Sequence, residues 1–218
     1  MELMIAIAIT SITVVGAFLV MSEGLKLYRT NKRAADAQTD VLQVLSRVTT
    51  EAVNAKQELV RIYPGGAEPE GIVFASPLLE TGQARIDDLT AELYWQFLVA
   101  YYFVPGAPGL PGKVYRAHLP IPSTAGDTPP GSKDVAYVES LLDSRTTSFF
   151  QSGSGVQRRA LGHDISAFDV ALYSGEVDAS AGVVVHDSYT IAVAAGDKTD
   201  RSSTGYYIKV DSRVTPRG

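Results

Sequence analysis

The sequence predicts an α+β protein, in which one long amino-terminal helix packs on an antiparallel β-sheet. Three observations predict this fold: an uncharged apolar run from Leu3 to Met21, a helical apolar pattern that continues to Ile62, and strand-like segments separated by turn residues in the remainder. We therefore expect three segments: 1–24 as a transmembrane helix half, 25–63 as an amphipathic helix half and 67–218 as a globular β-rich head.

The apolar run has the length of a membrane span. At about 1.5 Å per residue, the stretch from Leu3 to Met21 matches the ~30 Å hydrocarbon core of a bilayer. A cleaved secretory signal needs a basic start and a shorter apolar core, and a buried core helix of this length normally carries charges. A plain membrane anchor fits the length but does not explain the carboxylate of Glu2 at the head of the run. The alternative is that this carboxylate rests among the lipid headgroups, where an interfacial charge needs no partner.

The flanking charges bear on topology. Basic residues follow the run at Lys26, Arg29, Lys32 and Arg33, whereas only Glu2 precedes it. The positive-inside rule then predicts a cytoplasmic position for the rest of the chain, yet its long Gly, Pro, Ser and Thr loops are typical of an extracytoplasmic head. Either the topology is unusual or a basic leader is removed from the front.

The second helix half carries one apolar stripe. Residues spaced by three and four lie on one face, at Ala34, Ala37, Val41, Leu45, Val48, Ala52, Ala55, Leu59 and Ile62. This stripe favours packing on a sheet over a coiled-coil seam, because the rest of the chain is rich in strands. Pro64 and the two glycines after it predict the end of the helix.

The head predicts a hairpin-rich sheet with one short helix. The predicted strands are Ile72–Ala75, Leu93–Val104, Val114–Leu119, Ile165–Tyr173, Val183–Ala194 and Gly205–Val214. The predicted helix is Asp134–Leu142, and the predicted loops are Pro120–Gly131, Gln151–Gly155 and Gly196–Thr204.

Composition argues against several classes of function. The chain has no cysteine, so it has neither disulfides nor thiolate zinc sites, and its net charge of −5 offers no evident footprint for nucleic acid. His163-Asp164 and His186-Asp187 are adjacent pairs, which point to opposite faces of a strand, and no catalytic motif is present. We expect a protein without enzymatic activity or a cofactor.

A calcium site is a weak alternative for one loop. Asp197 and Asp200 lie in a glycine-bounded segment, but two carboxylates fall short of the ~6–8 oxygen ligands that calcium takes. Such sequences are more often simple turns.

The first nine residues resemble the prepilin segment of type IV pilins and pseudopilins: Met1-Glu2-Leu3-Met4-Ile5-Ala6-Ile7-Ala8-Ile9. The resemblance implies removal of a basic leader by a prepilin peptidase and methylation of the new terminal amine. It also implies that Glu2 pairs with the amino terminus of a neighbouring subunit and sets the register of a filament. The sequence has Met1 directly before Glu2, so this processing is implied by the resemblance alone.

Within that family, the head resembles J-type pseudopilins and W-type minor pilins. The resemblance rests on Trp95–Phe103, on Val114-Tyr115-Arg116, on Phe168-Asp169-Val170 and on the closing segment Val214–Arg217. It implies a low-copy filament subunit in the bacterial inner membrane, whose partners are other subunits, the prepilin peptidase and the assembly platform. The competing hypothesis is a single-pass, membrane-anchored extracytoplasmic binding module that does not polymerise.

Overall fold

A computed structural model describes residues 2–78, 82–88, 90–107, 110–124, 131–173, 188–196 and 207–216. The helices are α1 (Glu2–Ala52), α2 (Val135–Asp143) and α3 (Thr147–Ser152), with a short 3-10 helix at Gln57–Leu59. The strands are β1 (Val60–Tyr63), β2 (Gly71–Ser76), β3 (Phe97–Val104), β4 (Gly112–Pro120), β5 (Gln157–Tyr173), β6 (Ser188–Gly196) and β7 (Tyr207–Val214).

The strands form one antiparallel sheet in which each strand pairs with the next in the chain, in the order β1 to β7. The sheet curls, so that β1 and β2 also approach β5 although other strands separate them in the sheet order. The α+β fold class predicted from the sequence, with a long apolar helix and an antiparallel sheet, is confirmed at this level.

The carboxyl-terminal half of α1 packs on one face of the sheet, mainly against β5, β6 and β7. Its buried side chains are Ala37, Val41, Val44, Leu45, Val48 and Ala52, which join Phe168, Ile191 and Val193 of the sheet in a continuous core. The predicted stripe with spacings of three and four is therefore buried over this part of the helix.

On the other face of the sheet, α2 and α3 pack over β2, β3 and β4. Leu98, Val138, Leu142 and Phe150 belong to this second apolar core, together with the single tryptophan, Trp95. The predicted short helix is confirmed as α2, and the side chain of Asp134 caps it by accepting a hydrogen bond from the backbone N–H of Tyr137.

The predicted extension of the helix to Ile62, and so of an amphipathic helix half over 25–63, is wrong. α1 ends at Ala52, Leu59 lies in the 3-10 helix, and Ile62 lies in β1 opposite Ile72 of β2. The run Val60–Tyr63 favours a strand because its β-branched and aromatic residues pair along a neighbouring strand. Leu59 is nevertheless fully buried, as the spacing predicts, although it lies in the 3-10 helix and not in α1.

Other predicted elements differ in their ends. The strand predicted from Leu93 begins at Phe97, because Trp95 forms an isolated bridge with Ser132 instead. β5 begins at Gln157, well before the predicted start, and α3 occupies part of the predicted loop 151–155. Residues 183–187 of a predicted strand, half of the predicted loop 120–131 and most of the predicted loop 196–204 lie outside the described residues.

A buried carboxylate joins the last turn of α1 to the sheet. Glu51 is 6% exposed, and it accepts from Nε of Arg47 at 2.6 Å and from Nε of Arg116 on β4 at 3.0 Å. Burial, and secondarily the charge of Glu51, raise the pKa of the nearby Tyr101, so this phenol stays neutral. Since a buried charge is costly without partners, the two arginines hold the helix end in place.

Replacing Val44 by alanine should lower the free energy of unfolding by about 2 kcal/mol, because Val44 is fully buried between α1 and the sheet and its loss leaves a cavity. The matched control is Leu42→Ala on the same helix, where the side chain is 47% exposed and the cost should stay within about 0.5 kcal/mol. Urea unfolding of the full chain in detergent, followed by Trp95 fluorescence, measures both. Equal losses at the two positions would contradict the packing described.

Arg116→Met should lower the free energy of unfolding by about 3 kcal/mol, near the low end for breaking a buried ion pair, because Arg47 still contacts Glu51. The double variant Glu51→Leu with Arg116→Met should recover most of that loss, since no unpaired charge is left buried. Arg33→Met, at an exposed position of α1, is the control. A double variant less stable than Arg116→Met would refute this account.

Candidate functional site: the amino-terminal half of α1

The amino-terminal half of α1 exposes apolar side chains on all sides. The exposed large residues in it are Leu3, Met4, Ile5, Ile7, Ile9, Ile12, Val14, Val15, Phe18, Leu19, Val20 and Met21, with exposures up to 79% at Met4. Of the described residues, only this helix is long and apolar enough to span a bilayer. So large an exposed apolar surface is typical of contact with lipid or with another protein.

The polar side chains within this segment bond to their own helix. The hydroxyls of Thr10, Ser11 and Thr13 donate to the carbonyl oxygens of Ala6, Ile7 and Ile9 at 2.8 to 2.9 Å. These contacts satisfy the hydroxyls without water. At these three positions the hydroxyls therefore already have hydrogen-bond partners, as a hydrocarbon environment requires.

The segment projects well beyond the head. The first buried residue of α1 is Ala37, and the helix begins at Glu2. At about 1.5 Å per residue, the part between them extends for roughly 50 Å. The helix continues without a break through Gly16 and Gly24, and nothing lies within 4 Å of the Cβ that either glycine lacks.

A charged section separates the apolar segment from the head. Lys26 contacts Glu23 at 2.7 Å, and both side chains are well exposed. Arg29, Lys32 and Arg33 are exposed as well. Charges in this position suit the interface between hydrocarbon and water, where long basic side chains reach the polar headgroups.

Glu2, the predicted assembly residue, is the first residue of α1. A carboxylate in the first turn is stabilised by the helix dipole, by about 0.3–1 kcal/mol.

The weak candidate calcium ligands predicted from the sequence cannot be placed in the structure. Asp197, Asp200 and the pair His186-Asp187 lie outside the described residues, so the weak calcium hypothesis stays a hypothesis. Within the described part of the chain, no three His, Asp or Glu side chains form a group able to hold a metal ion. The backbone N–H of His163 donates to Oδ2 of Asp40 at 2.9 Å, which ties β5 to α1.

A second feature, which no pattern in the sequence predicts, is a cleft of about 710 Å³ between the last turns of α1 and strands β3 to β5. Its lining includes Arg47, Glu51, Phe97, Arg116, His118 and Arg159. His118 contacts Nη1 of Arg116 through Nδ1 at 3.1 Å and stacks edge-on to Phe97. No sequence signal gathers these residues, because they come from helix and strands that pair only after folding.

Neither a family model nor a curated protein nor a solved structure matches this chain. The functional assignment therefore rests on the geometry of α1 and of the head.

Proposed function

We propose that this chain is a structural subunit, a minor pilin or pseudopilin, of a type IV pilus or a type II secretion-like filament. The amino-terminal half of α1 would lie in the inner membrane before assembly and in the filament core afterwards. The head would then lie outside the cytoplasm, and neither catalysis nor a cofactor is part of this function.

The observation that carries the proposal is the bare apolar half of α1. It has the length of a membrane span, it is exposed on every side, and its Thr10, Ser11 and Thr13 hydroxyls bond to the helix itself. A helix of this kind satisfies the demands of lipid, and it also buries its surface well when copies pack side by side. The same segment thus serves two successive environments.

The single acid at the start of the helix supports assembly over simple anchoring. An anchor gains nothing from this carboxylate, which can rest among the lipid headgroups, whereas an unpaired charge in the apolar interior of a filament would cost on the order of 3 kcal/mol, as it does at the centre of a bilayer. A neighbouring amino terminus would supply the counter-charge as a subunit leaves the membrane. Glu2 would then select the axial position of each incoming subunit.

The packing of the head agrees with the same role. The carboxyl-terminal half of α1 is buried against β5, β6 and β7, so the head is attached along the helix rather than through a flexible linker. In a filament, the position of the helix would therefore fix the position of the head on the filament surface.

A non-polymerising, membrane-anchored binding module is the second candidate function, and the cleft beside Arg116 and Arg159 is the observation that favours it.

Glu2→Ala should reduce incorporation into filaments at least tenfold, because loss of one partner of a desolvated charge pair costs about 2 kcal/mol or more. The measurement is the amount of subunit in sheared filaments relative to the membrane fraction, in cells that express the sister subunits. Glu23→Ala is the control, since Glu23 is exposed and contacts only Lys26 among the described residues. Wild-type incorporation of the Glu2 variant would refute the pairing, and a wild-type chain confined to the membrane would favour the binding module.

Two lysines in the apolar segment should release the chain from the membrane. Ile12→Lys with Val15→Lys adds about 2.5–3.5 kcal/mol per lysine to the cost of insertion, because both side chains lie in the uncharged run. Gln38→Lys with Thr39→Lys adds the same charge at exposed positions beyond the run. Alkaline extraction of membranes compares the two variants. Equal retention of both in the membrane pellet would contradict a spanning role for this segment.

A further inference from the structure

Two arginines face each other across neighbouring strands at the cleft. In the antiparallel register of β4 and β5, Arg116 lies directly opposite Arg159, and both belong to the cleft lining. Like charges in directly opposed positions repel one another and destabilise a sheet. A bound anion between the two guanidinium groups would offset this repulsion.

Among the described residues, only Arg116 of these two arginines contacts a carboxylate. Arg116 contacts both oxygens of Glu51 at 3.0 and 3.2 Å, and Arg47 also contacts Glu51. Among the residues that the structure describes, no carboxylate lies within ion-pair distance of Arg159, which is exposed to the cleft. Glu51 thus already contacts two arginines, Arg47 and Arg116, and does not pair with Arg159.

The described lining of the cleft therefore carries an excess of positive charge. Among the described residues, three arginines and one glutamate line it, in a chain whose net charge is −5. Local charge opposite in sign to the whole chain is typical of a site for an anion. The acidic remainder of the molecule repels an extended polyanion and favours a compact one.

The size and walls of the cleft fit a small organic molecule. Its volume of about 710 Å³ lies within the usual range of about 300–1,000 Å³ for ligand sites. Phe97 and Leu161 add apolar surface beside the arginines, and hydroxyl and amide side chains of α1 line the opposite wall. A planar guanidinium binds carboxylate and phosphate oxygens in a bidentate manner.

We propose that this cleft binds a small organic anion, whose carboxylate or phosphate bridges Arg116 and Arg159 and whose apolar body lies against Phe97 and Leu161. The site is separate from the apolar half of α1 and does not depend on filament assembly. Binding relieves the repulsion between the paired strands β4 and β5, so the ligand stabilises the head.

The test uses the full chain, dispersed in detergent, with phenyl phosphate, benzoate and inorganic phosphate as probes and sodium chloride at equal ionic strength as reference. Titration calorimetry measures affinity, and Trp95 fluorescence measures the midpoint of thermal unfolding. At least one probe should bind saturably to the wild type and raise that midpoint. The organic probes should bind more tightly than inorganic phosphate if the apolar wall contributes. Comparing phenyl phosphate with benzoate shows whether the cleft prefers a phosphate or a carboxylate.

Arg159→Ala should weaken binding roughly tenfold or more, because it removes a charged hydrogen-bond donor to the anion. In chloride alone it should unfold at the same temperature as the wild type or higher, because the repulsion with Arg116 is gone. Arg159→Lys, which keeps the charge without the planar fork, should have intermediate affinity. Arg33→Ala removes an exposed arginine outside the cleft and should bind as the wild type does.

The unfolding temperature in chloride alone shows whether a variant is still folded, so a loss of binding can be told apart from a loss of folding. The proposal is overturned if none of the three probes binds the wild type saturably, or if Arg159→Ala binds the probes as tightly as Arg33→Ala does. A lower unfolding temperature of Arg159→Ala in chloride would likewise overturn the proposed repulsion. None of these three results depends on whether the chain enters filaments.

Discussion

One continuous helix has to meet two different surroundings, and the rest of the structure depends on how its two halves do so. Between Ala37 and Ala52, small and β-branched side chains are buried on the curled sheet. From Leu3 to Met21, bulky apolar side chains are exposed on every side, and a charged section separates them from the packed half. Because no break separates the halves, the packing of the second half fixes the direction in which the first half leaves the head.

Close approach between helix and sheet explains the small residues in the packed half. A Cβ on Gly162 of β5 would lie 3.0 Å from Val44, so the glycine lets the helix come near the strand. Polar contacts flank this apolar contact: Asp40 accepts from the backbone of His163, and Glu51 accepts from Arg116. These contacts fix the helix in one register, since a shift along its axis would leave Glu51 buried without its partner.

The sequence predicts best where the pattern is long and local. The apolar run, the buried stripe as far as Ala52, α2 and the strand pairs around β3 and β4 all follow from periodicity and turn chemistry. The predicted helix is too long because the spacing of Leu59 and Ile62 continues the apolar stripe. The pairing of Val60–Tyr63 with β2, which is a tertiary contact, decides the local structure instead. The cleft arises from the register of β4 against β5, which no local pattern encodes.

The cleft is a consequence of how α1 ends. Along most of its packed half the helix contacts the sheet through alanine and valine, but near its last turn the contact passes to Arg47, Glu51 and Arg116. The cleft lies beside these long polar side chains, between the end of α1 and strands β3 to β5. The same glutamate that anchors the helix also neutralises part of the arginine charge. Since Glu51 is already shared by two arginines, the charge of Arg159 is left without a carboxylate among the described residues, and that excess gives the cleft its preference for an anion.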